Sequence, residues 1–179
     1  MRKALFLLGI LNDSDIDWLI AHGSKRELTT SEVLIQEGKA IGNMFIVLDG
    51  SFAVSVGEAQ REVARLKSGE VVGEVSFVDS RPPSASVTAL EPSHVLAVPL
   101  AGITGKLESD LPFAARFYRA IAVFLADRLR HSIGQLGYGK EPSPGTEEVE
   151  TDEMDPEVLD RLTLAGARFD WLQRRLRDI

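Results

Sequence analysis

The sequence predicts a mainly β protein. The expected fold is an antiparallel β-roll of the double-stranded β-helix or jelly-roll type, flanked by α-helices and followed by a long C-terminal helix of dimerisation type. Three observations carry this. Between Lys25 and Pro99 the apolar residues follow the two-residue period of strands. Turn residues (Glu37-Gly38, Asp49-Gly50, Gly57-Glu58, Ser68-Gly69 and Glu91-Pro92) divide that stretch into short runs at even spacing, with no helix between them. On either side the apolar period becomes that of helices.

Residues 1–11 hold a short apolar run behind Arg2 and Lys3, but lead into Asn12-Asp13-Ser14-Asp15 without a small-residue cleavage pattern. We therefore read them as a mature segment that packs its leucines rather than as a signal peptide. Residues 12–23 form a capped helix. Asn12 or Ser14 accepts from the free N–H groups, Asp13 and Asp15 suit the positive end, Ile16, Leu19 and Ile20 form the buried stripe, and Gly23 closes it. His22 falls at its surface end.

Strands follow at residues 26–29, 32–36, 44–48, 51–56 and 62–66. The third and fourth flank Asp49-Gly50, a strong hairpin sequence. Residues 84–90 and 94–98 make a last antiparallel pair broken at Glu91-Pro92, with His94 as an ordinary strand residue. A short helix occupies residues 99–108 and a long one residues 111–133, with Pro112 in its first turn. Phe113, Phe117, Ala120, Ile121, Phe124, Leu125 and Leu129 are its apolar positions. Residues 120–126 are apolar almost all round. A helix lying on a β-roll needs one apolar stripe. The second face calls for the same helix in a two-fold dimer, or for burial under the C-terminal helix. Arg116, Arg119, Arg128 and Arg130 are read as solvated or paired.

The chain divides into a β-roll domain with its long helix (residues 1–135), an acidic Pro/Gly-containing linker (136–154) and a C-terminal helix (155–179). Pro156 stands near the start of that last helix. Val158, Leu159, Leu162, Leu164, Ala165, Phe169, Leu172 and Leu176 form its apolar side, and Arg174, Arg175 and Arg177 suit its negative end. It is expected to dock on its own β-roll, on a dimer mate or on another protein.

Composition excludes several functions. The net charge of −7 over 179 residues argues against a general nucleic-acid or membrane-surface binder. There is no cysteine, hence no disulfide framework or thiolate nucleophile, and three scattered histidines make no zinc cluster. No Ser-His-Asp constellation or Walker loop is present, so no enzyme is expected, and the default location is cytoplasmic.

One stretch organises the rest: residues 68–87. Gly73 permits a positive φ or a close backbone approach. Glu74 supplies a carboxylate, Val75, Ser76 and Phe77 a short run, and Pro82-Pro83 stiffens the loop before Ser84, Ala85, Ser86 and Val87 re-enter a strand. A glycine turn, an acid and a serine rim could hold a small polar ligand against backbone N–H groups.

This stretch resembles the phosphate-binding cassette of the cyclic nucleotide-binding domain superfamily, whose pattern is Gly-Glu, apolar, small, apolar, a spacer, Pro-Arg, two small residues and Ser or Thr. Gly73-Glu74-Val75-Ser76-Phe77 matches the first half, and Pro82-Pro83-Ser84-Ala85-Ser86-Val87 the second, except that the phosphate-binding Arg falls on Pro83. The resemblance extends over the helix before the strands, the Glu37-Gly38 turn, residues 45–50 and Gly69. It implies that Glu74 would accept from a ribose hydroxyl and that Gly73, Val75, Ser76, Ser84 and Ala85 would shape a pocket. Ser84 would be able to donate to phosphate. Pro83 supplies neither charge nor donor, and Arg81 is the nearby guanidinium on the loop.

The resemblance therefore implies a non-enzymatic regulatory or sensor module, needing no cofactor, that binds cyclic AMP or cyclic GMP weakly or takes an altered small anionic ligand. The alternative is a protein-interaction or assembly module with a vestigial pocket. A transcription regulator of the same superfamily without its helix-turn-helix is the third reading, because the tail offers one helix where that motif needs two. The expected partners are a cyclic nucleotide, a second copy through the long helix and a protein for the C-terminal helix, with no nucleic acid and no membrane.

Overall fold

The computed structural model describes residues 4–137 and 156–177. In chain order the elements are α1 Ala4–Ile10, α2 Asp13–His22, β1 Ser24–Leu28, β2 Val33–Ile35, β3 Asn43–Asp49, β4 Ser51–Val56, β5 Arg61–Lys67, β6 Val71–Val72, α3 Glu74–Asp79, β7 Ser86–Ala89, β8 Ser93–Pro99, α4 Leu100–Ser109, α5 Leu111–Gly137 and α6 Pro156–Arg177. The strands form two antiparallel four-stranded sheets, ordered β1-β8-β3-β6 and β2-β7-β4-β5.

The residue pattern explains the layering. In β3 the side chains alternate between two apolar environments. Phe45 and Val47 enter the core between the sheets, while Met44, Ile46 and Leu48 enter a second core under the helices. β8 does the same with Val95 and Ala97 on one side and Leu96 and Val98 on the other. The first sheet is thus covered on both faces, which is why β3 reads as an unbroken apolar run. β5 is an edge strand with Leu66 alone buried.

α2 is capped as its sequence dictates. The Asn12 side chain accepts from Asp15 N and the Asp15 carboxylate accepts from Asn12 N, a reciprocal capping box. Gly23 ends the helix in an extended conformation, its N–H donating to Leu19 O, rather than in the left-handed one. Asp15 also accepts from Arg116 of α5, which ties α2 to the long helix.

α6 docks within its own chain. It packs on α1 and α2 and buries Ala165, Phe169, Leu172 and Leu176 in the same core as Leu7, Leu8 and Leu11. Arg168 Nη1 donates to the carbonyls of Leu8 (2.8 Å) and Leu11 (2.6 Å), and its Nε to Asp13 (2.8 Å). These are carbonyls at the end of α1, where intrahelical partners run out. Gln173 donates to Leu48 O. The side chains of Val158, Leu159 and Leu162 lie outside the described residues, as does the expected linker from residue 138 onward.

Several sequence expectations need correction. β3 and β4 are not a hairpin: they belong to different sheets, and Asp49-Gly50 is the corner where the chain changes sheet. β3 already has β8 and β6 as neighbours, so β4 turns away to pair with β7 and β5. Gly50 takes φ 92° there, and a Cβ would stand 2.1 Å from Ser93 Oγ. The true hairpin is β4–β5 around residues 57–60. β7 and β8 are likewise not partners. β7 pairs with β2 and β4, and β8 with β1 and β3. The strands are interrupted by a helix, α3, inside the cassette. α5 continues through Gly134 to Gly137.

Candidate ligand pocket

The cassette is a strand, a turn, a helix and a loop that leads into β7, and neighbouring elements fix its key points. β6 pairs with β3 through Val72↔Phe45 and Val71↔Ile46. Gly73 then takes φ 91°. A Cβ there would sit 2.9 Å from Ile41 Cδ1 and 3.0 Å from Asn43 O, so both the left-handed angle and the close approach require glycine. α3 follows, with Phe77 set edge-on against Phe117 of α5 at 5.8 Å between ring centroids. Ser80, also left-handed at φ 57°, ends the helix. Pro82-Pro83 crosses to β7, the Pro83 carbonyl accepts from Gly38 N at 2.8 Å, and the Ser86 hydroxyl accepts from Glu37 N at 3.1 Å.

These elements enclose a hollow of about 230 Å³. All eight residues singled out from the sequence (Gly73, Glu74, Val75, Ser76, Arg81, Pro83, Ser84 and Ala85) line it. Ile35, Val54, Val72 and Val87 supply its apolar floor, and Asp79 its other carboxylate. Ser84 and Arg81 are exposed at the mouth. Arg81 is on the loop as expected, and its backbone N–H donates to Asp79 Oδ1 at 3.0 Å. Ser86 is buried and occupied by Glu37, so it belongs to the wall.

Glu74 is the buried end of the hollow, its side chain 2% exposed. Its Oε1 accepts from Arg128 Nη1 of α5 at 2.8 Å, and Arg128, 39% exposed, lines the same hollow. This guanidinium is what sequence reasoning missed. Pro83 brings no charge to the loop, whereas Arg128 delivers a cation from the long helix that balances Glu74. The pair is separated by 54 residues, and no local pattern joins them. Burial pushes the Glu74 carboxyl above its ordinary value, the Arg128 charge and hydrogen bond oppose that rise, and Glu70 adds to it.

A second hollow of about 280 Å³ lies where α6 meets the first sheet, lined by Lys25, Leu48, Asp49, His94, Gln173 and Leu176. It gathers none of the cassette residues. Among the described residues no group of three or more His, Asp or Glu side chains is arranged to hold a metal, and no helix is long and apolar enough to cross a membrane.

Comparison with known proteins agrees with this geometry. Residues 25–110 match the family model of the cyclic nucleotide-binding domain. The chain is similar to a cyclic nucleotide-binding domain from Methylobacillus flagellatus KT, with TM-score 0.68 and 17% identity over 79% of this chain and 85% of that one. It is similar to the N-terminal domain of a transcriptional regulator from Streptomyces coelicolor A3(2), with TM-score 0.59 and 26% identity over 77% of this chain and 96% of that one. It is also similar to the catabolite activator protein of Thermus thermophilus, with TM-score 0.58 and 19% identity over 94% of this chain and 84% of that one. No curated protein matches the sequence.

Proposed function

We propose that this chain, which carries a domain of the cyclic nucleotide-binding superfamily over residues 25–110, is a non-enzymatic regulatory module whose cassette hollow takes a cyclic nucleotide weakly, or a related small anionic ligand. The observation that carries the reading is the retained acid without its usual companion. Glu74 stands buried at the end of a hollow whose loop has Pro83 in the cation position. The acid suits a sugar hydroxyl, and Ser76 and Ser84 line the way to it. A bidentate Arg–phosphate contact contributes about 3 kcal/mol, and each 1.4 kcal/mol is about tenfold in affinity. Its loss from the loop moves a micromolar site toward the high-micromolar or millimolar range, on the order of a hundredfold.

The readout element is α5. It touches the cassette twice, through Phe77–Phe117 and Glu74–Arg128. One face is buried through Phe113, Phe117, Ala120, Ile121 and Phe124. On the other, Leu111, Ala115, Tyr118 and Ala122 are exposed at steps of four, three and four, as in a helix-pairing stripe, and Leu129 is exposed one heptad further on. That stripe supports a homodimer through α5, in a protein acting in the cytoplasm. Residues 1–137, to the end of α5, would be the working unit, joined onward to the docked tail helix. Titration calorimetry with cyclic AMP and cyclic GMP tests the ligand. Weak binding is expected, and submicromolar affinity overturns the reading.

A further inference from the structure

We infer that Arg128, on α5, is the anion-receiving group of the cassette hollow, and that a ligand's phosphate takes it over from Glu74. This rests on the proposed ligand reading and names the residue that decides its specificity. The loop wall of the hollow carries Pro83 where a donor would stand, so an anion lying there meets no cation from the loop's own backbone position. Arg128 lines the same hollow from the helix side. Its Nη1 is held 2.8 Å from Glu74 Oε1, which fixes the guanidinium at the buried end of the site while 39% of the side chain stays in reach of solvent. A guanidinium presents five N–H donors in one plane, so it can pass from a carboxylate to a phosphate, two acceptors of the same fork geometry.

The exchange frees Glu74 to accept from a neutral hydroxyl donor on the same ligand. A ligand with a diol at one end and an anion at the other thus satisfies both partners of the resting pair. A neutral ligand satisfies Glu74 alone and leaves the pair intact. Arg81 is the competing cation. It sits on the exposed mouth of the loop rather than on α5. Because Arg128 belongs to α5, the exchange moves a contact of the long helix from the cassette to the ligand, so occupancy is registered on the helix directly.

The test is an NMR titration carried into the millimolar range with cyclic AMP and cyclic GMP, each beside its uncharged nucleoside. Wild-type protein is expected to prefer the cyclic nucleotide by at least tenfold. Arg128→Gln is expected to abolish the preference while nucleoside binding remains measurable, and Arg81→Gln to retain the preference. Because Arg128→Gln leaves Glu74 buried without its partner, the double variant Glu74→Gln/Arg128→Gln is measured as well, and it too should show no preference. A preference that persists in the Arg128 variants, or that Arg81→Gln abolishes, overturns the inference and leaves the pocket reading standing. Loss of nucleoside and nucleotide together also overturns it, because Arg128 is then a strut rather than a receptor. A wild-type protein that binds neither molecule overturns both the inference and the cyclic-nucleotide reading of the hollow.

Discussion

Arg116 Nε lies 2.6 Å from Asp15 Oδ2, and its Nη2 2.8 Å from Oδ1, a two-pronged bond that joins α2 to α5. Asp15 is buried and also accepts from the backbone N–H of Asn12, so one carboxylate caps one helix and anchors another. Removing one partner of a buried pair costs about 3–5 kcal/mol, because the other is left uncompensated. Arg116 is 29% exposed and regains some water, so Asp15→Ala is expected at the lower end, about 3 kcal/mol. Urea denaturation measures it. A loss below about 1 kcal/mol, the level of an exposed ion pair, would show that the pair does not anchor the helices.

Glu74 gives the protein a pH dependence whose sign follows from burial. The folded state holds the Glu74 proton more tightly than the unfolded chain does, because burial disfavours the carboxylate more than Arg128 restores it. Stability from this group is therefore fully present below the ordinary value of 4.5 and is lost as pH rises from there through the folded value. Arg128 from α5, Glu70 ahead of β6, and Asp79 and Arg81 of the cassette are the charges around it. Glu74→Gln does not titrate. The stability of wild type relative to Glu74→Gln should fall across that window. A difference independent of pH refutes the assignment.

The sheet-changing corner tolerates no side chain. In Gly50→Ala the new Cβ would meet Ser93 Oγ and Cβ, and also Ser93 Cα at 2.9 Å, a backbone atom that cannot rotate away. Together with the left-handed φ, this places the cost at about 2 kcal/mol or more. Thermal melting reads it. A variant within about 0.5 kcal/mol of wild type would mean that the corner relaxes freely.

The exposed stripe of α5 predicts association. Light scattering should find a dimer at concentrations on the order of tens of micromolar, and Tyr118→Glu should give a monomer of nearly unchanged melting temperature. Tyr118 is 53% exposed, so the change leaves the core intact. A wild-type monomer at that concentration sinks the dimer.

Arg168 fastens α6 to α1. Arg168→Ala strips the Leu8 and Leu11 carbonyls of their donor and is expected to cost about 2 kcal/mol of local stability, with faster amide exchange in both helices. Exchange confined to α6 would mean that α1 is held without it.

The roll and its flanking helices were legible because β3 and β8, α2 and α5 each carry a complete local pattern: period, cap and stripe. Which strands pair was not. Asp49-Gly50 has the same turn chemistry whether the chain doubles back within a sheet or crosses to the other one. The choice is made by β8 and β6 arriving from far along the chain. α3 escaped for a different reason. Its six residues include Val75, Phe77 and Val78, which favour strands, and only the left-handed Gly73 and the contact of Phe77 with Phe117 turn them into a helix. The pocket was legible as a set of cassette residues. Arg128 was not, since it reaches Glu74 from a helix whose own pattern says only that the residue is partly exposed.

The arrangement of α1 beneath α6 has a consequence for how the molecule is born. α1 leaves the ribosome well before the helix that roofs it, because Arg168 follows Leu8 by 160 residues. Until α6 is made, Leu7, Leu8 and Leu11 have an unroofed flank, and the carbonyls that Arg168 will claim are served by water. Closure of this layer thus waits for α6, and a chain cut anywhere before it keeps a roll with a greasy, adhesive shoulder.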